Sequence, residues 1–311
     1  MTIYTVYFTP SKADAIILFS GGLDSYAGVK ILESQYNQLL GIFVAHNDQP
    51  RIIKIVDNIK PLLNTEVKTI YAPSMGATGY SQLRGFLYIL TGAIFLNLCG
   101  TNKLLVTECG PTMYQPMFSP YDSITYTTHP YVLKAAKDTL EILLGRTPEI
   151  IIPFEDLTKA EIVKNSNIKD FSKTHSCISQ RFGNHDGTCF GCVIKNLACL
   201  VAGVKDVKYN NDVFQEGANQ DNLLNLLNFS YDILNDYNNT PNFQTDKIEE
   251  FGKQDLFIRY ALDNLTGVML GTNKKHELYK KFVIPNESLI KARIKEISRN
   301  LKKPNFNKYV L

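Results

Sequence analysis

Short apolar runs alternate with longer segments of helical periodicity through the N-terminal two-thirds of the chain. Runs of this kind are typical of strands buried on both faces of a parallel sheet. The segments between them are long enough for crossover helices, so the pattern predicts a doubly wound parallel α/β sheet. The predicted strands are Ala15–Phe19, Leu39–Ala45, Glu66–Tyr71, Lys103–Thr107 and Glu149–Ile152.

The pattern changes after Val204. Clusters of Asn and Asp separate segments in which apolar residues recur at helical spacing. We therefore predict an α/β domain at 1–204 and a helical C-terminal extension at 205–311. The predicted amphipathic helices of the extension are Leu223–Leu234, Lys247–Leu270 and Glu287–Leu301.

The last of these helices is basic. Such a face is usually solvated, and it is also found on surfaces that bind nucleic acid or a partner protein. Over all 311 residues the net charge is only +3, which gives little support for a polyanionic partner larger than ATP. The cations of this segment, set against Glu296, are Lys291, Arg293, Lys295, Arg299, Lys302 and Lys303.

Two further segments bear on location. The uncharged stretch Gly85–Gly100 is shorter than a bilayer requires and predicts a buried helix. The first residues lack the basic segment and the small-residue cleavage site of a secretory signal. We therefore expect a cytoplasmic protein with no membrane partner.

The first predicted strand runs directly into Ser20-Gly21-Gly22-Leu23-Asp24-Ser25. Adjacent glycines allow a tight turn in which backbone N–H groups converge, and a helix beginning near Ser25 adds the partial positive charge of its N-terminus. The serine hydroxyls are further donors, and Asp24 is suited to face Mg²⁺ or to cap the helix. The sequence thus predicts an anion-binding loop. The competing interpretation is an ordinary Gly-Gly turn between a strand and a helix.

The spacing of this loop differs from the P-loop of ATPases and from the dinucleotide-binding fingerprint. It resembles the PP-loop of the N-type ATP pyrophosphatases. The resemblance implies cleavage of ATP between its α- and β-phosphates and adenylation of a substrate oxygen. His46 follows the second strand at the same edge of the sheet, where it is either an adenosine contact or a solvated loop residue.

Three of the six cysteines, Cys177, Cys189 and Cys192, form a cluster in a Gly-rich segment. In a cytoplasmic protein their spacing favours a tetrahedral zinc site, which needs one more ligand. The competing interpretations are three reduced cysteines in a loop and a redox-active Cys-x-x-Cys pair.

The fourth zinc ligand has three candidates. Cys199 lies about 10 Å from Cys192 along a helix, too far to share one ion. His175 shares a face with Cys177 if the segment is extended, but its spacing is cramped. We choose His185, which falls between the cysteines and can fold back onto the knuckle.

A PP-loop and a zinc knuckle on one α/β domain resemble the 7-cyano-7-deazaguanine synthase (QueC) family, and the resemblance covers residues 14–204. Ser20–Ser25 matches the PP-loop of that family, and Thr158–Ile162 is similar to its Ser/Thr-Lys-x-Glu-Ile block. Arg84 resembles the arginine of its Arg-Asn-x-x-Phe helix start, with Gly85 in place of asparagine.

The zinc segment departs from the family at one position. When Cys189–Val193 is aligned with the end of the family's zinc segment, its second zinc cysteine falls at Asp186, beside His185. This departure supports a Cys-His-Cys-Cys site and leaves Asp186 as a further candidate for the fourth ligand.

The resemblance implies a ligase that uses ATP, Mg²⁺ and Zn²⁺, and a homodimer. The carboxylate of 7-carboxy-7-deazaguanine is adenylated, ammonia displaces AMP to give an amide, and a second activation dehydrates the amide to 7-cyano-7-deazaguanine. The implied roles are pyrophosphate and Mg²⁺ binding for Ser20, Gly21, Gly22, Leu23, Asp24 and Ser25, phosphate or substrate contact for Lys159 and Arg84, and deazapurine contact for Glu108 and His129.

Two of these roles have competing interpretations. Lys159 and Glu161 could instead form a solvated capping turn, and His129 could instead be a helix-entry residue before Pro130.

Two blocks, Thr107–Pro116 and Thr127–Pro130, are more similar to the QueC-like proteins of antiphage defence islands than to the biosynthetic enzymes. One alternative is therefore an enzyme that conjugates a deazapurine to a partner protein docked on the C-terminal helices. Under this alternative, deleting the residues beyond about 210 spares AMP formation. Two others are a tRNA-modifying PP-loop enzyme and a non-catalytic ATP-sensing scaffold.

Overall fold

The computed structural model describes residues 12–46, 50–72, 84–114, 128–178, 185–215, 220–235, 252–299 and 301–305. Within this part of the chain five parallel strands form a sheet in the order β3-β2-β1-β4-β5. The parallel α/β sheet expected from the sequence is therefore observed. The strands are β1 (Ala15–Leu18), β2 (Leu39–His46), β3 (Glu66–Ala72), β4 (Lys103–Leu105) and β5 (Glu149–Ile151).

β1 is the central strand. Ile17 is in register with Gly41 of β2 on one side and with Leu105 of β4 on the other. From β1 the chain builds the sheet outward through β2 and β3, and it then crosses back to add β4 and β5 on the opposite side. The strand order thus reverses next to β1, which is where open parallel sheets bind ligands.

Helices follow the strands and continue into the C-terminal part. A short 3₁₀ turn at Lys60–Leu62 follows the second helix, and a π-helical turn at Tyr279–Val283 with a 3₁₀ turn at Ile284–Asn286 precedes the last. Of the predicted segment Lys247–Leu270, residues 247–251 lie outside the described residues. The helices are α1 (Leu23–Leu32), α2 (Pro50–Ile59), α3 (Arg84–Leu98), α4 (Gly110–Tyr114), α5 (Pro130–Leu144), α6 (Lys159–Asn165), α7 (Phe190–Ala202), α8 (Asp221–Asn235), α9 (Gln254–Gly271) and α10 (Glu287–Arg299).

Helices cover both faces of the sheet. Successive residues of β1 point to opposite sides, so Ile17 packs in a core with α1, α2, α6 and α7, whereas Ile16 packs with α3 and α5. The uncharged segment predicted as a buried helix forms α3, whose Ile89 and Ala93 are buried, although its Ile94 is 60% exposed. No helix in the described ranges is long and apolar enough to cross a membrane.

A third core joins the C-terminal helices to the α/β unit. α7 contributes Cys199 to the core beneath the sheet and Leu197 to the core formed with α8, α9 and α10. A Cβ on Gly267 of α9 would lie 2.7 Å from Cδ2 of Leu197, so the two helices cross closely there. The predicted boundary at Val204 therefore follows a helix that both cores share.

Candidate functional site

The predicted anion-binding loop connects β1 to α1 at the carboxyl edge of the sheet, at the point of strand-order reversal. Gly21 has a φ of +74°, and a Cβ there would lie 2.7 Å from Cγ2 of Val56 in α2. Only glycine fits this position without strain. The hydroxyls of Ser20 and Ser25 lie 3.1 Å apart, and the backbone N–H of Ser20 donates to Oγ of Ser25 at 3.2 Å. The two serines therefore close the loop.

Asp24 and Lys159 form an ion pair beside this loop. α1 begins at Leu23, so Asp24 lies in its first turn, and Nζ of Lys159 donates to Oδ2 of Asp24. Both side chains are largely buried, at 13% exposure for Asp24 and 15% for Lys159. The other carboxylate oxygen, Oδ1 of Asp24, is buried without a hydrogen-bond partner among the described residues. Because an unpaired buried carboxylate oxygen is costly, this atom is suited to ligate a cation.

Glu108 and Cys109, which follow β4, adjoin the ion pair. One ligand atom from each of Asp24, Glu108 and Cys109 lies within 4.8 Å of the others. Burial alone would lower the pKa of Lys159, but the surrounding negative charges, chiefly that of Asp24, outweigh it and raise this pKa above 10.5. Burial raises the pKa of Cys109 to about 12, so its side chain is a neutral thiol. This cluster therefore carries the carboxylates of Asp24 and Glu108 and one positive charge, that of Lys159.

Thr158 fixes the start of the helix that carries Lys159. Its Oγ1 accepts a hydrogen bond from the backbone N–H of Glu161 at 3.3 Å, and Oε2 of Glu161 accepts one from the backbone N–H of Thr158 at 2.9 Å. This reciprocal capping box places Lys159 at the first position of α6. The capping turn is therefore present, but Glu161 is 1% exposed rather than solvated, and the side chain of Lys159 reaches Asp24.

The remaining predicted contacts have other outcomes. His129 is buried at 6% exposure and caps α5, because its Nδ1 accepts a hydrogen bond from the backbone N–H of Tyr131 at 3.3 Å. This is the helix-entry role. His46 ends β2 and Arg84 begins α3, but their side chains, like Thr127, lie outside the described residues.

Cys177, Cys189 and Cys192 come together with Asp186. Their sulfur atoms and one carboxylate oxygen all lie within 4.8 Å of one another. Sγ of Cys177 and Sγ of Cys189 are 3.9 Å apart, and no disulfide joins the three cysteines. Tetrahedral zinc with Zn–S bonds of about 2.3 Å places sulfurs about 3.8 Å apart, so the donor set and the spacing fit Zn²⁺.

Asp186, rather than the chosen His185, contributes the fourth ligand atom to this group. Oδ1 of Asp186 accepts hydrogen bonds from the backbone N–H groups of Thr188 and Cys189, both at 2.8 Å, and these bonds hold the carboxylate at the knuckle. His185 makes other contacts, since its Nε2 accepts a hydrogen bond from the backbone N–H of Ser176 at 3.4 Å. Burial lowers the pKa of His185 to about 3.

The segment that leads into Cys177 contacts the predicted anion-binding loop directly. The backbone N–H of His175 donates to the carbonyl of Gly21 at 3.0 Å. Lys195 of α7 is fully buried, and its Nζ donates to the carbonyl oxygens of Phe171 and Thr174, each at 3.1 Å. It also pairs with Asp206 at 2.9 Å. The conformation of the loop at Gly21 therefore depends on the position of the residues just before Cys177.

The sequence patterns did not lead us to predict the burial of two cationic side chains, those of Lys195 and Arg293. Lys195 is a single charged residue in an otherwise apolar helical segment, a pattern that could have indicated burial. Arg293 belongs to the basic face predicted for the last helix, a kind of face that is usually solvated, yet it is 2% exposed. It is spaced i, i+3 and i+7 with Ile290 and Ile297, which are also buried, and this spacing was the available signal.

Comparisons with known proteins give little further guidance. No model of a known protein family matches the chain, and no curated protein matches it. One solved structure with some likeness is the NMN synthetase of Francisella tularensis. It is 14% identical, with a TM-score of 0.28, over 49% of this chain and 76% of that chain. At this TM-score the likeness carries no functional argument.

Proposed function

We propose that the chain is a PP-loop ATP pyrophosphatase, which transfers the adenylyl group of ATP to a carboxylate and releases pyrophosphate. The observation that carries this proposal is the pairing of Asp24 with Lys159 beside a glycine-dependent loop at the strand-order reversal. Phosphoryl chemistry needs mainly alignment and neutralisation of charge on phosphate oxygens. A glycine-dependent loop at the start of α1, a carboxylate for a cation and a fixed lysine together meet that need.

Each of these groups has a distinct role in the proposal. The N–H groups at the start of α1 bind phosphate oxygens, helped by the helix dipole. Oδ1 of Asp24 is a hard oxygen donor, which suits Mg²⁺, and when bound this ion would neutralise charge on the phosphates. Lys159 remains protonated and supplies a positive charge to the phosphate chain.

The finer proposal concerns the substrate, and it rests on the resemblance to the QueC family. A carboxylate oxygen of 7-carboxy-7-deazaguanine attacks the α-phosphorus, and the bond from that phosphorus to the bridging oxygen of pyrophosphate breaks. Ammonia then attacks the acyl carbon and AMP leaves, which gives the amide. The amide oxygen then attacks the α-phosphorus of a second ATP and releases pyrophosphate, and loss of AMP together with the protons on nitrogen gives the nitrile. Glu108 is suited to accept hydrogen bonds from the N1–H and amino group of the purine edge.

We further propose that Cys177, Asp186, Cys189 and Cys192 hold a structural Zn²⁺. These four buried side chains would fill all four positions of a tetrahedral ion, as in closed structural sites. The role that follows is to order the segment whose backbone contacts Gly21.

The proposal is tested by incubating the purified protein with ATP, Mg²⁺, 7-carboxy-7-deazaguanine and ammonium, and by following nucleotides and deazapurines by mass spectrometry. AMP together with the nitrile supports the whole scheme. AMP without nitrile supports adenylation but assigns another acceptor, such as an amine of a partner protein. Failure to form AMP with this acid would contradict the substrate proposal.

The tRNA-modifying alternative is weakened by the contacts of the last helix and of Lys302, which follows it. Arg293 is buried, and Lys291 and Lys302 are paired with Glu287 and Asp255. Fewer unpaired cations therefore face solvent than the sequence indicated, and the ATP-pyrophosphatase proposal needs none of them.

A further inference from the structure

A buried network of charged residues connects the C-terminal helices to the turn that carries Lys159. Glu161 of α6 is 1% exposed, Arg293 of α10 is 2% exposed, and Arg259 and Asp263 of α9 are each 4% exposed. Two carboxylates and two guanidinium groups balance one another. Groups of this kind are rarely buried unless each is paired, so their arrangement is tightly constrained.

Arg293 forms the centre of the network. Its Nη2 donates to Oε1 of Glu161 at 2.7 Å, and its Nε donates to Oδ1 of Asp263 at 2.7 Å. Burial alone would lower the pKa of Arg293, but the carboxylates of Asp263 and Glu161 outweigh it and raise this pKa. The guanidinium therefore stays charged and joins α10 to both α6 and α9.

Arg259 holds the same turn from a second direction. Its Nη1 donates to Oε2 of Glu161, and its Nη2 donates to the carbonyl of Asp156 at 2.8 Å. Both oxygens of the Glu161 carboxylate are thus bound by arginines of the C-terminal helices. The carbonyl of Asp156 lies two residues before Thr158, so the loop that enters α6 is held as well.

Thr158 links this network to the candidate site. Its hydroxyl contacts Oδ2 of Asp263 at 2.5 Å, and its backbone N–H donates to the same Glu161 oxygen that Arg259 binds. Lys159 follows immediately as the first residue of α6, and its Nζ pairs with Asp24. The position of the Lys159 backbone is therefore set by groups that α9 and α10 supply.

We propose that Arg293, Asp263 and Thr158 are positioning residues for Lys159, so that the C-terminal helices complete the ATP site. The inference rests on the proposed function in one respect, the binding of phosphate by Lys159. It reverses the expectation that deletion beyond about residue 210 spares AMP formation, because that deletion removes Arg259, Asp263 and Arg293 and so frees the turn that carries Lys159.

The test compares matched variants of the full chain by MgATP affinity, rate of AMP release and thermal unfolding. Arg293→Met removes the central guanidinium, and Lys291→Met removes an exposed lysine from the same helix. Thr158→Val removes one hydroxyl with little change of shape, and Thr158→Ser retains it. We expect Arg293→Met and Thr158→Val to weaken MgATP binding about 10- to 100-fold. Lys291→Met should match the wild type, and Thr158→Ser should recover most of the affinity.

A double-mutant cycle separates positioning from general stability. If Arg293 and Thr158 act through Lys159, neither substitution should weaken MgATP binding further in a Lys159→Met background. Losses that add to that of Lys159→Met would overturn the inference, as would wild-type affinity in a folded Thr158→Val variant. A wild-type protein that binds no MgATP would instead contradict the proposed function. If Arg293→Met does not fold, the Thr158 pair decides the matter.

Discussion

The ammonium group of Lys159 and the carboxylate of Asp24 form a largely buried ion pair, although 135 positions separate the two residues in the chain. The pair joins the first turn of α1 to the first turn of α6, so it spans the edge of the sheet where the strand order reverses. It supplies one group suited to a cation and one suited to an anion. This is the charge arrangement that a metal-bound phosphate chain requires.

Loss of the Asp24 carboxylate should abolish the reaction without unfolding the protein. Asp24→Asn keeps the size of the side chain but removes the negative charge that Mg²⁺ and Lys159 require. We expect kcat/KM for AMP release to fall about 100-fold or more, with the far-ultraviolet circular dichroism unchanged. Asp138→Asn, which removes an exposed carboxylate paired with Lys134, is the control and should retain wild-type turnover. Turnover by Asp24→Asn at the wild-type rate would refute the assignment.

Gly21→Ala should damage both stability and nucleotide binding. The new side chain meets a positive φ and Cγ2 of Val56 at 2.7 Å. Gly100→Ala is a matched control, because Gly100 also has a positive φ but nothing within 4 Å. In urea unfolding we expect a loss of about 1 kcal/mol for Gly100→Ala and a further 1–3 kcal/mol, roughly, for Gly21→Ala. Equal losses in the two variants would show that the contact with Val56 is not important.

The pH dependence of the Lys159–Asp24 pair follows from the raised pKa of Lys159. A lysine whose folded-state pKa is raised contributes stability that is fully present below the unfolded value of 10.5 and is lost only as the pH rises through the folded value. The difference in unfolding free energy between the wild type and Lys159→Met should thus stay constant from about pH 7 to about pH 9.5. A difference that shrinks as the pH approaches 9 would mean that the ammonium is not held by Asp24.

The fourth zinc ligand can be identified by two substitutions. Asp186→Asn retains Oδ1 as acceptor for Thr188 and Cys189 but loses the anionic ligand, so we expect zinc affinity to fall about 100-fold. His185→Gln should retain the metal, because its imidazole contacts Ser176 rather than the cysteine group. Zinc content by mass spectrometry and competition with a chromogenic chelator measure both. Metal loss in His185→Gln alone would restore the choice of histidine.

Removal of the metal should also weaken nucleotide binding. His175 lies two residues before Cys177 and donates its backbone N–H to Gly21, so disorder at the cysteines reaches the anion-binding loop. We expect Cys192→Ser to lower MgATP affinity about tenfold, on the scale of one lost positioning contact. Cys99→Ser, which changes a buried cysteine outside this group, is the control. Unchanged affinity in a metal-free Cys192→Ser protein would separate the two sites.

The sequence predicted what depends on local pattern. The strands and crossover helices follow from apolar periodicity, and the turn follows from the glycine at Gly21. Both signals depend only on residues that are close together in the chain. The ligand choice between His185 and Asp186 depends on hydrogen bonds to Thr188 and Cys189 that spacing does not reveal. The pairing of Glu161 with Arg293 joins positions 132 apart, and no local rule brings them together.

The most direct test of the central claim is transfer of oxygen from the acid to AMP. The protein would be given ATP, Mg²⁺ and ammonium with 7-carboxy-7-deazaguanine labelled with ¹⁸O in its carboxylate, and the AMP would be analysed by mass spectrometry. Attack of the carboxylate on the α-phosphorus predicts AMP that carries one ¹⁸O atom from the acid. Formation of ADP and phosphate, or of AMP labelled only from ¹⁸O water, would contradict adenylation at this site.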